Sequence, residues 1–82
     1  MKYSLQFKPR AVKDIESLSS KLQSRIIKKI EEMSENLKGD VKHLTNITPE
    51  YRLRVGDYRV LFEIEKEALI IYRVRHRKEV YR

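Results

Sequence analysis

Arginine is where this chain concentrates its chemistry. Two of the ten basic residues in 1–50 are arginine, Arg10 and Arg25; in 51–82 the proportion is seven of nine. Lysine is enough to keep a protein soluble. Arginine is favoured where a planar fork must grip a phosphate at two points. Within 51–62, Arg52, Arg54 and Arg59 alternate with Tyr51, Leu53, Val55, Tyr58, Val60 and Phe62. Period-two alternation predicts strands with one buried and one wet face. Gly56-Asp57 divides the run and has the residue types of a tight hairpin turn. A two-residue loop there pairs Val55 with Tyr58 and sets Arg54 directly across from Arg59. Like charges in that position are destabilising, so the arrangement points to an anionic partner. The plainer reading is a solvated face whose arginines pair with Glu63 or Glu65.

Arg73, Arg75 and Arg77 strengthen the first reading. Residues 68–75 form a further strand, preceded by the turn Glu65-Lys66-Glu67. A three-residue turn pairs Ile64 with Ala68, sends Ile70, Tyr72 and Val74 to the core, and puts Arg73 and Arg75 on the face of Arg59. A two-residue turn would drive Arg73 inward, at the cost of burying a charge. The three-residue turn is therefore expected, and with it a patch of Arg52, Arg54, Arg59, Arg73, Arg75 and Arg77 over three strands. Tyr81 follows among these arginines. A phenol with its ordinary pKa near 10 is ionised to roughly one part in a thousand at neutral pH; a cationic field raises that fraction and makes Tyr81 a candidate base toward a ribose 2′-hydroxyl. As a structural group, it would instead anchor the tail by packing its ring on the sheet.

Other chemistries are poorly supplied. The histidines are His43 and His76; an acid–base pair would need both to converge, and His43 sits in the expected loop. There is no HExxH, no CxxC and no carboxylate cluster, so neither a metal nor a cofactor is expected. The two glycines, Gly39 and Gly56, do not make a phosphate-cradling loop. Charge stabilisation by arginines remains, and at a developing phosphorane that is often the largest catalytic contribution.

The elements that must position these groups fit one small domain of 82 residues, with a net charge of +7 and a pI near 9.8. Such a balance favours a polyanionic partner. The lack of cysteine excludes a disulfide framework and thiolate zinc sites, and the start of the chain has no long apolar run, so a cytoplasmic protein without a membrane role is expected. Residues 2–7 read as a strand with Tyr3, Leu5 and Phe7 on one face. Pro9 suits a helix start, and Ala11, Val12, Ile15 and Leu18 give a short amphipathic helix over 9–18. Ser20 with Gln23 fits a capping box. Leu22, Ile26, Ile30, Met33 and Leu37 mark a second helix, with Gly39 as its C-cap. Residues 40–50 read as a loop, with turn chemistry from Asp40, Asn46, Thr48 and Pro49 and anchors at Leu44 and Ile47. The expected fold is α+β, in the order β-α-α-β-β-β, a mainly antiparallel sheet with two helices on one face.

The run Tyr51-Arg-Leu-Arg-Val-Gly-Asp-Tyr-Arg59, an apolar strand, and then Arg75-His-Arg-Lys-Glu-Val-Tyr81 resemble the RelE/ParE toxin superfamily, closest to its RelE branch. The resemblance spans nearly the whole chain, including the element order. It implies a toxin of a type II toxin–antitoxin system: a metal-independent endoribonuclease that cuts messenger RNA in the ribosomal A site by attack of a 2′-hydroxyl on the scissile phosphate. It further implies a cognate antitoxin, contacts with ribosome and mRNA, and operator-DNA binding by the toxin–antitoxin complex. Carried over residue by residue, Arg52 and Arg54 bind and polarise the phosphate, with Arg73 in the same substrate-binding set. Arg59 stabilises the phosphate's charge, Tyr81 activates the 2′-hydroxyl, and Arg75 or Arg77 assists the leaving 5′-oxygen. Arginine at 52 and 54 departs from the family's frequent lysines: it keeps the charge but is a poor proton shuttle. The sequence also ends at Arg82, where some relatives continue into a further helix. Two alternatives stay open: a ParE-like gyrase inhibitor, and a non-catalytic basic binding module of the same fold.

Overall fold

The computed structural model describes residues 1–44 and 48–80. Its elements run β1 (Ser4–Phe7), α1 (Pro9–Glu16), α2 (Ser20–Met33), β2 (Asp40–His43), β3 (Tyr51–Val55), β4 (Tyr58–Glu65), β5 (Ala68–His76) and α3 (Arg77–Val80). The five strands lie in the order β1-β5-β4-β3-β2. β1 runs parallel to β5 and every other pairing is antiparallel. The α+β fold with a mainly antiparallel sheet is as expected, with an additional edge strand and a short terminal helix.

The two long helices form for the reasons the sequence suggests. Pro9 opens α1, and Ala11 and Ile15, four apart, are its buried residues. Val12 was expected in the same stripe but is 41% exposed. In α2, Ile26, Ile30 and Met33 are buried. Its cap is Ser19 rather than Ser20: the Ser19 hydroxyl accepts from the Leu22 N–H at 3.3 Å. Gln23 closes no capping box; its amide donates to the Leu18 carbonyl at 2.8 Å and ties down the link between the helices.

α2 stops at Met33, a turn earlier than expected, because the chain's first residues claim the backbone that follows. Tyr3 N–H donates to Ser34 O at 2.7 Å and Asn36 N–H to Met1 O at 2.9 Å. Asn36 and Leu37 then turn through positive φ, 58° and 57°, so the helix ends there and not at Gly39. Leu37 still packs against the core, from outside the helix.

Residues 40–43 are a strand, not a loop. Asp40, Lys42 and His43 leave only Val41 to signal it, a composition typical of charged edge strands. Leu44 is half-buried, as an anchor should be; Asn46 and Ile47 lie outside the described residues.

The β3–β4 hairpin has the expected register, with Val55 opposite Tyr58 and Arg54 opposite Arg59. The β4–β5 hairpin does not. Its turn is the two residues Lys66 and Glu67, with Glu65 opposite Ala68 and Ile64 opposite Leu69. A bulge then restores the facing. Phe62 lies opposite Ile71 while Leu61 lies opposite Arg73, so Tyr72 is the additional residue on β5. Before the bulge the core takes Leu69 and Ile71, after it Val74. Ile70 is buried outside that core and Tyr72 is half-exposed, which corrects the expectation for both. The penalty for turning Arg73 inward is met by a change of register within the strand.

Helices α1 and α2 pack Ala11, Ile15, Ile26, Ile30 and Met33 onto Leu53, Val55, Val60, Phe62, Leu69, Ile71 and Val74. No helix among the described residues is long and apolar enough to cross a membrane.

Candidate active site

The opposite face of the sheet carries the charges. Across β2, β3, β4 and β5, Asp40, Arg54, Arg59 and Arg75 stand in one register row, and Lys42, Arg52, Leu61 and Arg73 in the next. Neighbouring strands lie about 4.8 Å apart, so Arg54, Arg59 and Arg75 form a continuous cationic band. Toward the β4–β5 turn the sign reverses. Glu63 lies opposite Ile70 and Glu65 opposite Ala68, with Glu67 in the turn. The exposed face is therefore divided into an arginine end beside Gly56-Asp57 and a glutamate end beside Lys66-Glu67.

Arg59 is only 6% exposed. It was expected to point into solvent, but its Nη1 curls back to the carbonyls of Gly56 and Tyr58, both at 3.1 Å. The hairpin turn thus fixes the central guanidinium. Gly56 sits at φ +59°, and a Cβ there would lie 3.3 Å from the Arg25 guanidinium of α2, so the helix adds a further cation behind the turn. Arg54 is exposed at one side of Arg59.

The arginines' carboxylate partners are not Glu63 or Glu65. Arg52 Nη1 donates to Asp40, at 2.8 Å to its carbonyl and 3.2 Å to Oδ1, while Glu63 accepts from the Glu50 N–H. Arg75 meets Glu79 Oε2 through Nη2 at 2.8 Å and Nε at 3.2 Å. The Arg75 hydrogen bond holds the Glu79 carboxyl below the usual range.

Arg73 does not join the exposed patch. Its Nε and Nη2 grip Asp14 of α1 at 2.7 and 3.1 Å, and the same carboxylate accepts the Val74 N–H at 2.9 Å. β1 ends beside Ile71, and Asp14 takes up the edge of β5 from there. Burial pushes the Asp14 carboxyl up, but the Arg73 and Val74 hydrogen bonds and the charges of Arg73 and Arg75 outweigh it and hold it below its ordinary value. The hydrogen bond to Asp14 raises Arg73 in turn. With its fork engaged by Asp14, Arg73 braces the strand that presents Arg75.

Arg77 is exposed at the start of α3, and its N–H donates to Asp57 O at 2.7 Å, pinning that helix to the β3–β4 turn. Tyr81 lies outside the described residues, directly after α3. The histidines occupy opposite sides of the sheet: His43 on β2 beside Tyr51, with ring centroids 4.9 Å apart, and His76 on β5 beside Tyr58 at 5.4 Å. No group of acidic, histidine or cysteine residues suited to a metal ion occurs among the described residues. Sequence reasoning missed the carboxylates Asp14, Asp40 and Glu79. For Asp14, no local spacing announces a partner 59 residues away.

This fold is shared with toxins of toxin–antitoxin complexes. A model of the family described as ParE toxin of type II toxin–antitoxin systems, parDE, matches residues 5–81, and the chain belongs to the RelE/ParE toxin superfamily. Its relatives place it on the RelE branch. It is similar to Toxin RelE3 of Methanocaldococcus jannaschii, 36% identical over 75 residues that cover 85% of each chain. It is 29% identical over 87 residues to the mRNA interferase toxin RelE of Escherichia coli, covering 99% of this chain and 92% of that one. Its structure resembles the crystal structure of a RelB-RelE antitoxin–toxin complex from Methanococcus jannaschii, with a TM-score of 0.77 and 36% identity over 93% of this chain and 94% of the other.

Proposed function

We propose that this toxin is a ribosome-dependent mRNA endonuclease whose arginine row holds the scissile phosphate. The observation that carries the reading is the register row Arg54–Arg59–Arg75 on the sheet face opposite α1 and α2. Arginines at directly opposite positions on adjacent strands are an unfavourable choice for folding alone, and an RNA phosphate would offset that cost. The names of relatives, mRNA interferase among them, support the same reading, and the RelB-RelE complexes support an antitoxin partner.

In this mechanism Arg52 and Arg54 seat the RNA backbone and Arg59 neutralises the charge that builds on the phosphate's non-bridging oxygens. The 2′-hydroxyl gives its proton to Tyr81 in its ionised, phenolate form, favoured by the surrounding cations, and its oxygen attacks the adjacent phosphorus. The bond to the 5′-oxygen breaks and that oxygen takes a proton from water, leaving a 2′,3′-cyclic phosphate and a 5′-hydroxyl end. Arg75 stabilises the charge on the departing oxygen, with Arg77 beside it at the start of α3. Because arginine stays protonated, these groups act by charge and not by proton transfer. Fixed cations of this kind act most strongly where water is excluded, and the burial of Arg59 meets that condition.

The test is cleavage of one mRNA by purified protein, with and without programmed ribosomes, in excess chelator. Ribosome-dependent cuts with cyclic-phosphate ends that persist in chelator are expected. Intact RNA in all conditions, together with DNA-damage induction in cells, would favour a gyrase-directed toxin.

A further inference from the structure

Two of the ion pairs at the arginine row, Arg73–Asp14 and Arg75–Glu79, are built differently. Arg73–Asp14 is a two-point pair whose side chains are 24% and 17% exposed, and Asp14 takes a third bond from Val74. Arg75–Glu79 uses a single carboxylate oxygen, and its side chains are 31% and 50% exposed. The other Glu79 oxygen reaches the His76 N–H only at 3.4 Å. The first pair is part of the fold. The second is wet, weakly held and open to exchange, since exposed pairs contribute little and are screened by salt.

What makes the second pair notable is its place. Glu79 puts an anionic oxygen on the Arg75 fork, next to Arg59 in the row. A phosphate bound across the row would need that same fork. Carboxylate and phosphate oxygens make the same kind of charge-assisted bond to a guanidinium, and a phosphate touching several members of the row has more cations to satisfy it than Glu79 has.

We propose that Glu79 is a built-in stand-in for the RNA phosphate, occupying Arg75 in the free protein and giving way when RNA binds. The inference rests on the RNA-cleaving reading of the same row and adds an internal competitor to it. Glu79 relieves the repulsion along the row while no RNA is bound, and it lowers the affinity for RNA by the strength of the contact that must be broken.

The test is binding of a fluorescent 2′-O-methyl oligoribonucleotide, which lacks the nucleophile, to purified protein at low salt. Glu79→Gln is expected to tighten binding about two- to fivefold, the range an exposed ion pair supports. Glu65→Gln makes the same charge change at the other end of the face and is expected to give a smaller gain. In an Arg75→Gln background the Glu79→Gln gain is expected to vanish. The stand-in role is overturned if Glu79→Gln leaves binding unchanged or weakens it, if Glu65→Gln matches it, or if the gain survives without Arg75. Salt-dependent binding by the wild type with no gain in Glu79→Gln sinks this inference alone. Absence of binding by the wild type at low salt also overturns this inference, and cleavage on programmed ribosomes then decides the RNA reading separately.

Discussion

The two hairpins of the sheet end in opposite chemistry. At the Gly56-Asp57 turn the exposed face carries Arg54, Arg59 and Arg75 in register; at the Lys66-Glu67 turn it carries Glu63, Glu65 and Glu67. Both ends share one helix-packed core, so folding alone does not require the difference. It teaches where stability has been given up. The arginine end sets like charges side by side and buries one of them, whereas the glutamate end leaves Glu65 and Glu67 in solvent. A polyanion is attracted to one end and repelled from the other, which orients it on the face.

Substitutions can break this contrast. The largest effect is expected for Arg59→Ala, with cleavage reduced about 100- to 1,000-fold, the loss typical of removing a fixed donor to a developing oxyanion. Ribosome-programmed cleavage kinetics measure it, with a thermal melt to show that the fold survives. Asp14→Asn should come next, because it leaves Arg73 and the β5 edge with weaker partners, costing about 1–2 kcal/mol in urea unfolding. Its pH dependence has a definite sign. Asp14 has its carboxyl depressed in the fold, so its contribution is present above the unfolded value near 3.9 and is lost as pH falls through the lower folded value. The wild type should therefore lose stability along that acid limb, and Asp14→Asn should flatten it.

Arg54→Thr should sharpen the contrast from the other direction. Removing one of the facing like charges is expected to raise stability by about 0.2–1 kcal/mol while weakening RNA binding and its salt dependence. The smallest effect is expected for Glu65→Gln, within about 0.5 kcal/mol in stability, as for an exposed substitution away from special contacts, and with cleavage close to wild type.

The hairpins also differ in how plainly the sequence announces them. Around Gly56-Asp57 strict alternation and turn chemistry agree, and pairing, facing and the Arg54–Arg59 opposition all follow. Around Lys66 the run Leu69-Ile70-Ile71 has no parity of its own, and a bulge is not encoded in alternation; the charge of Arg73 indicated the facing beyond the bulge but not the turn that leads to it. The helices were legible from their apolar period, but the end of α2 was not, since Met1 and Tyr3 cap it from the other end of the chain. β2 was hidden because an edge strand needs little apolar pattern. For the site, the residue types were readable and the partners were not. Asp14 meets Arg73 only once α1 is packed on the sheet, and the Arg59 side chain donates back to the carbonyls of its own turn.

The most direct measurement is primer extension on a reporter mRNA after induction of the toxin, comparing wild type, Arg59→Ala, Tyr81→Phe and Glu65→Gln, each with the message translated and untranslated. The arginine-row mechanism predicts codon-phased cuts on translated message alone, lost in Arg59→Ala and Tyr81→Phe and kept in Glu65→Gln. Growth arrest with the message intact, or cleavage that survives Arg59→Ala, would contradict it and leave the arginine face as a surface for a protein partner.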